Sequence, residues 1–353
     1  MLNPGYTTIS KFLIQQVPEE PHGRELAALL VDVAAVVKAI SAAVGKGPLL
    51  GLASLAGSEN TQGEAQKKLD LIADELFARG VEWSGLVGAL ASEERDEVHF
   101  IDGNGPLALV FDPLDGSNNL DMNLPVGSIF SVLALAGSDR GPGAVLQPGH
   151  RQLAAGYAIY GPSTQVVITV GRGTHGFTLD REIGNFVLTH PDIRIPEEAS
   201  DYLINASNRR FWEPPVQRYV DECKAGVEGP RGRDFNTRWV ASMVADVHRV
   251  LLRGGIYLYP RDQKEANREG RLRLMYEANP MAMLVEQAGG AASTGRGRIL
   301  DVQPERIHQR VPVVLGSRAE VERVDRYHEE FDKGDDKPYS SPLFGERSLF
   351  TNA

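Results

Sequence analysis

The stretch Leu107–Phe111, LALVF, is apolar without interruption. A strand of that kind has no face to give to water, so it belongs inside a layered α/β structure, covered on both sides. A second apolar stretch, Ile129–Leu135, follows after a connection rich in Gly, Ser and Asn. Two acids stand at the join, Asp112 and Asp115, in the run DPLDGS. A connection that only reverses the chain needs Gly, Pro or one Asp. Asp112 stands at the carboxyl end of the first strand, where open α/β sheets bind ligands. Two readings are open at this point. One is a plain Asx-Pro turn. The other is a cation site, because two close carboxylates repel unless a cation lies between them. The Leu114 carbonyl can point into the same space. Oxygen donors with no His or Cys suit Mg²⁺ or Mn²⁺ better than zinc. The Gly116 and Ser117 amides that follow can take a phosphate oxygen.

The rest of the chain alternates helix and strand. From Arg24 to Val44, Leu26, Leu29, Leu30, Val33, Val37, Ile40 and Val44 recur at helical spacing, and Gly45 ends the run. Gly47–Gly63 reads as a Gly/Ala/Ser-rich connection, and Glu64–Arg79 as a helix that ends at Gly80 and sets Asp70 and Asp74 on one face. Strands are expected at Leu107–Phe111, Ile129–Leu135, Leu153–Tyr160 and Gln165–Val170. Thr189–Ser200 carries two prolines and a polar cluster. It marks a boundary between an N-terminal domain (1–197) and a C-terminal domain (198–332), with a loose polar tail at 333–353. Beyond it, strands at Tyr202–Asn205, Ile256–Tyr259 and Val311–Leu315 alternate with helices at Pro215–Lys224, Trp239–Arg253, Pro280–Ala288 and Arg318–Phe331.

Charge and cysteine content narrow the function. A net charge of -10 and a pI near 5.4 argue against wrapping nucleic acid or lying on an anionic membrane. The charge is uneven: Ile204–Tyr276 holds 14 Lys/Arg against 9 Asp/Glu, a balance of +5, which leaves -15 on the rest. That island is either a solvated face or a seat for an anionic small molecule. The lone Cys223 excludes an intramolecular disulfide and fits a reducing compartment. The start, MLNPGYTTISKFLIQQ, lacks the basic opening and apolar core of a signal peptide. No unbroken apolar run reaches the ~18 residues of a membrane span, so a cytoplasmic protein with no membrane partner is expected. Cys223 reads as structural rather than catalytic, and His248 as a structural or surface histidine. GRGTHG, Gly171–Gly176, reads as a hairpin turn, since it lacks the Lys and following helix of a phosphate loop.

Two further acid groups stand out. Glu93 and Glu94 sit together after Ala91-Ser92, and Glu277 ends an apolar stretch just before a proline-initiated helix. An acid there either favours the helix dipole or projects as a ligand. The segments QKKLD, SEE, FDPLDGSNNLD, RWVASMVADVHRVLLRGGIYLYP and RLRLMYEANPMAMLVEQAGG, in this order and spacing, resemble class I fructose-1,6-bisphosphatase from about Thr7 to about Phe331. DPLDG alone is shared with the wider Mg²⁺-dependent, lithium-sensitive phosphatases. SMVADVH with GGIYLYP and EANPMA is specific to the bisphosphatase branch. The resemblance implies a layered α-β-α-β-α sugar-phosphatase fold with two subdomains. It implies hydrolysis of the 1-phosphate of fructose 1,6-bisphosphate, in gluconeogenesis or the Calvin cycle.

The resemblance also implies roles for matching positions. Glu93, Asp112, Asp115, Glu277 and the Leu114 carbonyl would hold Mg²⁺, or Mn²⁺, and Glu64 would add an acid from a loop. Glu94 and Asp70 would orient and deprotonate the attacking water. Asp115, Gly116, Ser117 and Asn118 would meet the 1-phosphate and sugar. Asn208, Arg238, Tyr257, Tyr259, Lys264 and Arg271 would hold the 6-phosphate and the ring, with Arg238 reaching a neighbouring subunit's site, so a homotetramer is expected. Several residues depart from the family's pattern. Trp239 and Phe211 stand where tyrosine is usual, Arg271 where lysine is, and GSNN replaces GSSN. These changes leave the metal acids intact and make sedoheptulose 1,7-bisphosphate the alternative substrate. A non-catalytic sugar-phosphate sensor is disfavoured, since all seven matching acids are present. The family's AMP site uses a Thr-containing turn at the first long helix and a Lys-Tyr pair before DPLDG. Here Glu19 and Glu20 lie near the helix start, and Pro106 and Leu107 occupy the Lys-Tyr positions, so little AMP inhibition is expected.

Overall fold

The computed structural model describes residues 6–17, 22–51, 55–59, 65–101, 105–135, 141–264 and 268–337. Helices α1 (Ile9–Gln16), α2 (Gly23–Val44) and the single turn α3 (Gly47–Leu50) lead to an antiparallel pair, β1 (Leu55–Glu59) and β2 (Ala65–Lys67), and then to α4 (Lys68–Glu82). The apolar stripe of α2 is buried as its spacing predicts, with Leu29, Val37 and Ile40 wholly enclosed. By length and composition alone α2 could cross a membrane, which the sequence reading did not register; here it packs on α4. The connection after α2 is not plain coil, since it holds α3 and β1. Helix α4 begins four residues later than expected, because the chain is still extended through Lys67 and the Lys67 amide bonds Asp70 Oδ2 at 2.7 Å. It also runs past Gly80. That glycine is a helix-crossing contact rather than a terminator, since a Cβ there would lie 2.3 Å from Val36 Cγ2. Glu64, Glu19 and Glu20 lie outside the described residues, as does the tail from residue 338 onward.

An eight-stranded sheet follows: β3 (Val87–Ser92), β4 (His99–Phe100), β5 (Leu107–Asp115), β6 (Val126–Ala134), β7 (Ala154–Tyr160), β8 (Thr164–Thr169), β9 (Thr174–Asp180) and β10 (Asn185–Ile193). The spatial order is β10-β9-β8-β7-β6-β5-β3-β4, antiparallel throughout except for the parallel β3–β5 pair. The LALVF strand sits inside it with both faces covered. Leu107, Leu109 and Phe111 enter the core under α1, α2 and α4, while Ala108 and Val110 face Met275 and Tyr276 on the other side. Sequence reasoning placed β5 to β8 but missed β3, β4, β9 and β10. The β3 residues VGALAS lack β-branched and aromatic side chains after Val87, and β10 is largely half-exposed, so neither gives a clear strand signal. Strand β10 runs into the stretch read as a domain boundary, as far as Ile193. Gly171–Gly173 forms the turn between β8 and β9, as expected of a hairpin.

The C-terminal half builds a second sheet from β11 (Asp201–Leu203), β12 (Asn236–Arg238), β13 (Ile256–Tyr259), β15 (Ala291–Ser293) and β17 (Val313–Gly316), in the order β12-β11-β13-β17-β15; β14 (Leu272–Arg273) pairs with β16 (Arg310–Val311) apart from it. Helices α6 (Met243–Arg253) and α7 (Asn279–Gln287) fill the space between the two large sheets, and α5 (Pro214–Ala225) and α8 (Arg318–Asp332) cover the outer face. The layers run helix, sheet, helix, sheet, helix, as the fold expectation has it. Three expected elements change. α6 starts at Met243 rather than Trp239, because Ser242 caps it by accepting the Ala245 amide at 3.4 Å. A π-turn, Leu274–Ala278, precedes α7. Val311–Leu315 is broken at Pro312 into β16 and β17. Cys223 is buried on the inner face of α5, where burial pushes its thiol up to about 12. His248 takes part in a hydrogen bond of 2.8 Å with the Tyr157 hydroxyl, which fits a structural role.

Candidate active site

Asp112 and Asp115 do not sit in a turn. Both belong to β5, on a bulge at its carboxyl end where Asp112 faces Ile129 and Asp115 faces Gly127. The bulge follows from Pro113, which has no amide hydrogen to give to the ladder. Its carbonyl accepts from the Ser128 hydroxyl at 2.7 Å, and the Leu114 amide turns back to Asp112 Oδ1 at 3.0 Å. The Asx-type bond and the acid cluster therefore coexist. Gly116 follows at a φ of 72°, and a Cβ there would lie 2.6 Å from Ser242 Cβ. Asp115 points at the start of α6. Its Oδ2 accepts from Ser242 Oγ at 2.6 Å and from the Val244 amide at 2.9 Å, and its Oδ1 from the Met243 amide at 3.3 Å.

Glu277 comes to the same place from the π-turn, where its Oε2 accepts the Arg273 amide at 2.5 Å. One carboxylate oxygen from each of Asp112, Asp115 and Glu277 lies within 4.8 Å of the others, and all three residues are buried. Glu93, just past the end of the parallel neighbour β3, faces the cluster from the side. Burial pushes Asp112 well up from the usual carboxylate range, and Glu93, Asp115 and Glu277 add to it by repulsion. Burial also raises Asp115, against the pull of its donors on α6. Glu277 is raised by burial and by Glu93 and Asp115, although Arg273 opposes the shift. Three buried oxygen-only acids, Asp112, Asp115 and Glu277, each resisting ionisation, fit a hard divalent cation. Asp70 lines the same cleft from the first turn of α4; burial raises it to about 6, and its Oδ1 has no hydrogen-bond partner among the described residues. Glu94, less buried, lines the cleft beside Leu114, Ser117 and Asn118.

The cleft, of about 650 Å³, extends from these acids to an aromatic wall. Trp239 stacks on Tyr257 with ring centres 5.9 Å apart and planes at 7°, and it meets Tyr259 at 5.8 Å. Tyr257 and Tyr259 line the cleft from one face of β13, as strand alternation requires. Arg271 lies at the mouth, exposed. The structure separates the other expected residues from this group. Asn208 lines a small adjoining pocket that Trp239 and Tyr259 also border. Lys264 donates to Asn208 Oδ1 at 2.7 Å and lies over the Phe211 ring. Arg238 is exposed on the edge strand β12 and does not border the cleft; it donates to the Thr237 carbonyl at 3.1 Å.

Sequence reasoning missed three supports. Arg273 puts a guanidinium 3.3 Å from Glu93 and 4.0 Å from Glu277 inside the acid cluster. Its strand, β14, spans only Leu272–Arg273, too short to show a pattern in the sequence. Asp74 accepts from Arg95 Nε at 2.9 Å and fastens α4 to the Glu93–Glu94 turn. Lys67, buried, pairs with Asp121 and links the start of α4 to the 3₁₀ turn Ser117–Met122. The last two depend on contacts across the fold and leave no local signal.

Comparison with known proteins gives one consistent result. The family model described as Fructose-1-6-bisphosphatase, N-terminal domain, matches residues 7–191, and the corresponding C-terminal domain model matches residues 195–329. The chain is 52% identical over 355 aligned positions to a protein of Methylibium petroleiphilum named Fructose-1,6-bisphosphatase class 1 3, with 99% of each chain covered. Among solved structures, it is similar to Leishmania major fructose-1,6-bisphosphatase in its holo form, with a TM-score of 0.86 at 38% identity, covering 92% of this chain and 100% of the other. The T-state form of the Leishmania enzyme matches with a TM-score of 0.81 at 38% identity, covering 93% of this chain and 100% of that one.

Proposed function

The chain belongs to the class I fructose-1,6-bisphosphatase family and hydrolyses fructose 1,6-bisphosphate, and we propose that the 1-phosphate is removed at the carboxylate cluster with Mg²⁺ as the metal. The family implies a divalent cation, and the observation that supports its placement is the convergence of Asp112, Asp115 and Glu277 within 4.8 Å. Glu93 and the Leu114 carbonyl complete the oxygen donors. When bound, the cation neutralises phosphoryl charge and acts as a Lewis acid on the reacting phosphate. The protein's own groups do the rest. Gly116, Ser117 and Asn118 offer amide and side-chain donors to the phosphate from the first turn of the 3₁₀ helix. Glu94 and Asp70 orient the attacking water and take its proton. Asp70, raised to about 6, is still ionised at neutral pH and basic enough to accept a proton. Tyr257, Tyr259 and Arg271 hold the sugar and its second phosphate, with Asn208 and Lys264 beyond Trp239.

Arg238 fits the same reading from outside. Exposed on an edge strand, it is free to reach the site of a neighbouring copy, as the oligomer of this reading, a homotetramer acting in the cytoplasm, requires. A second substrate is favoured by one observation: Trp239 fills the sugar end of the cleft as a flat stacked wall without a phenolic hydroxyl. Sedoheptulose 1,7-bisphosphate is therefore the rival. The test is steady-state kinetics on fructose and sedoheptulose bisphosphates at controlled Mg²⁺. The expected outcome is a higher kcat/KM on the fructose substrate, and Arg271→Ala should raise KM for the bisphosphate far more than for a small monophosphate. A preference for the seven-carbon sugar would reverse the assignment. Equal effects of Arg271→Ala on both substrates would remove that residue from the second-phosphate site.

A further inference from the structure

Residue 241 lines the cleft in a conformation that its side chain does not favour. Ala241 has a φ of +64°, the left-handed region, where a Cβ crowds the following carbonyl. The turn that contains it, Val240–Ser242, delivers the three donors that grip Asp115: the Ser242 hydroxyl and the Met243 and Val244 amides. Something must hold the turn in this form. Asp246, wholly buried one turn into α6, does so. Its Oδ1 accepts the Val240 amide at 3.0 Å, and its own amide donates to the Ser242 carbonyl at 3.0 Å. From the other side, the Asn119 side-chain amide donates to the Val240 carbonyl at 3.1 Å.

The carboxylate at 246 also carries a cost. Its Oδ2 is buried with no hydrogen-bond partner among the described residues, a costly arrangement beside the apolar core of α6. The packing around Ser242 leaves little slack, since the Gly116 backbone lies so close that a Cβ there would overlap it. A small shift of the turn is therefore passed directly to the Asp115–Gly116 corner.

We propose that Asp246 is a positioning residue for the reaction, latching the strained Ala241 turn so that the start of α6 fixes Asp115 in its place within the acid cluster. The proposal rests on the reading of Asp115 as a metal ligand. Asp246 touches neither substrate nor metal, and it acts through Ser242, Met243 and Val244. The strain makes the latch testable, because glycine takes a φ of +64° without the clash while a β-branched residue resists it.

The experiment measures Mn²⁺ binding to the full chain by titration calorimetry, with thermal melts and steady-state kinetics in parallel. Asp246→Ala should weaken Mn²⁺ binding about tenfold or more, in the range typical of lost outer-shell partners. It should lower kcat more than it raises KM. Ala241→Gly in the same chain should restore binding to within about threefold of the parent, since the turn then needs no latch. Ala241→Val, at an exposed position that does not threaten folding, should by itself weaken Mn²⁺ binding about tenfold with Asp246 intact. This variant carries the test if Asp246→Ala does not fold. Parent-like Mn²⁺ affinity in Ala241→Val, or no recovery of binding in the double variant, overturns the latch. Asp115→Asn separates the two readings. Parent-like Mn²⁺ binding in that variant overturns the metal-site reading, and the latch with it. Lost binding there with unchanged binding in Ala241→Val overturns the latch alone.

Discussion

At Asp115 one carboxylate meets two demands. Three donors at the start of α6 hold it, and its charge still faces Asp112 and Glu277 across the space a cation would fill. Replacing it with Asn keeps the shape, removes the charge and turns one acceptor into a donor that meets the Ser242 hydroxyl or the Val244 amide. Asp115→Asn is therefore expected to lower kcat by several orders of magnitude. Glu94→Gln should bind metal and substrate and turn over slowly, because it removes a proton acceptor without touching the buried acids. Single-turnover and steady-state rates check both, and near wild-type turnover in either variant removes that residue from its role. The acids themselves were legible, since carboxylates at a strand end and before a proline-initiated helix are unusual enough to notice. Arg273 was not. A lone arginine in a basic window looks like surface until the fold puts it against Glu93.

Among the elements, helix α5 shows how one residue can join several parts of the chain. Glu213 stands at its N-cap and takes two bonds of 2.9 Å from Arg261, two of 3.1 to 3.2 Å from Arg296, and a longer contact of 3.8 Å from His328 on α8. Burial works against its ionisation, and the His328 contact with the hydrogen bonds from Arg261 and Arg296 more than reverses that, holding the carboxyl well below its ordinary 4.5. A depressed folded-state pKa adds stability that is fully present above the unfolded value and fades as the pH falls towards the folded one. Glu213→Gln is expected to cost about 1–3 kcal/mol at pH 7, seen as a Tm lower by roughly 1–4 °C. The gap between parent and variant should narrow as the pH drops below 4.5. Thermal melts across pH check this, and a gap that widens in acid would contradict it. No local pattern marks Glu213, since its three partners come from distant segments. The π-turn before α7 was equally hidden, because its residues read as a plain apolar run.

For the whole molecule, five layers leave the strand before DPLDG deep inside. Leu107 is wholly buried in the core beneath α1, α2 and α4. It stands where the resemblance puts part of an AMP phosphate site, beside Pro106, which has no amide hydrogen. A buried leucine and a proline cannot replace a lysine charge and a phenol. Each charge-assisted bond lost is worth ~1.5–3 kcal/mol, and ~1.4 kcal/mol is tenfold in affinity. AMP is therefore expected to inhibit little. A titration of activity with AMP at saturating Mg²⁺ and near-KM substrate checks it, and cooperative inhibition at micromolar AMP would show a site rebuilt from other residues.

The sequence alone determined the strand LALVF, the acids at its end, the amphipathic face of α2 and the caps and breakers that close most helices. Each of these is a local property, set by side-chain periodicity, by Pro and Gly, or by charge placed next to charge. It could not determine where β5 ends, because the bulge that carries Asp112 and Asp115 exists only with β6 and Ser128 alongside. Nor could any local pattern show that Asp70 and Glu277, more than two hundred residues apart, face the same cleft; in the sequence only the family resemblance brought them together. Contacts of that range form only when whole layers stack, and their energies depend on burial, which no single segment has before the chain folds.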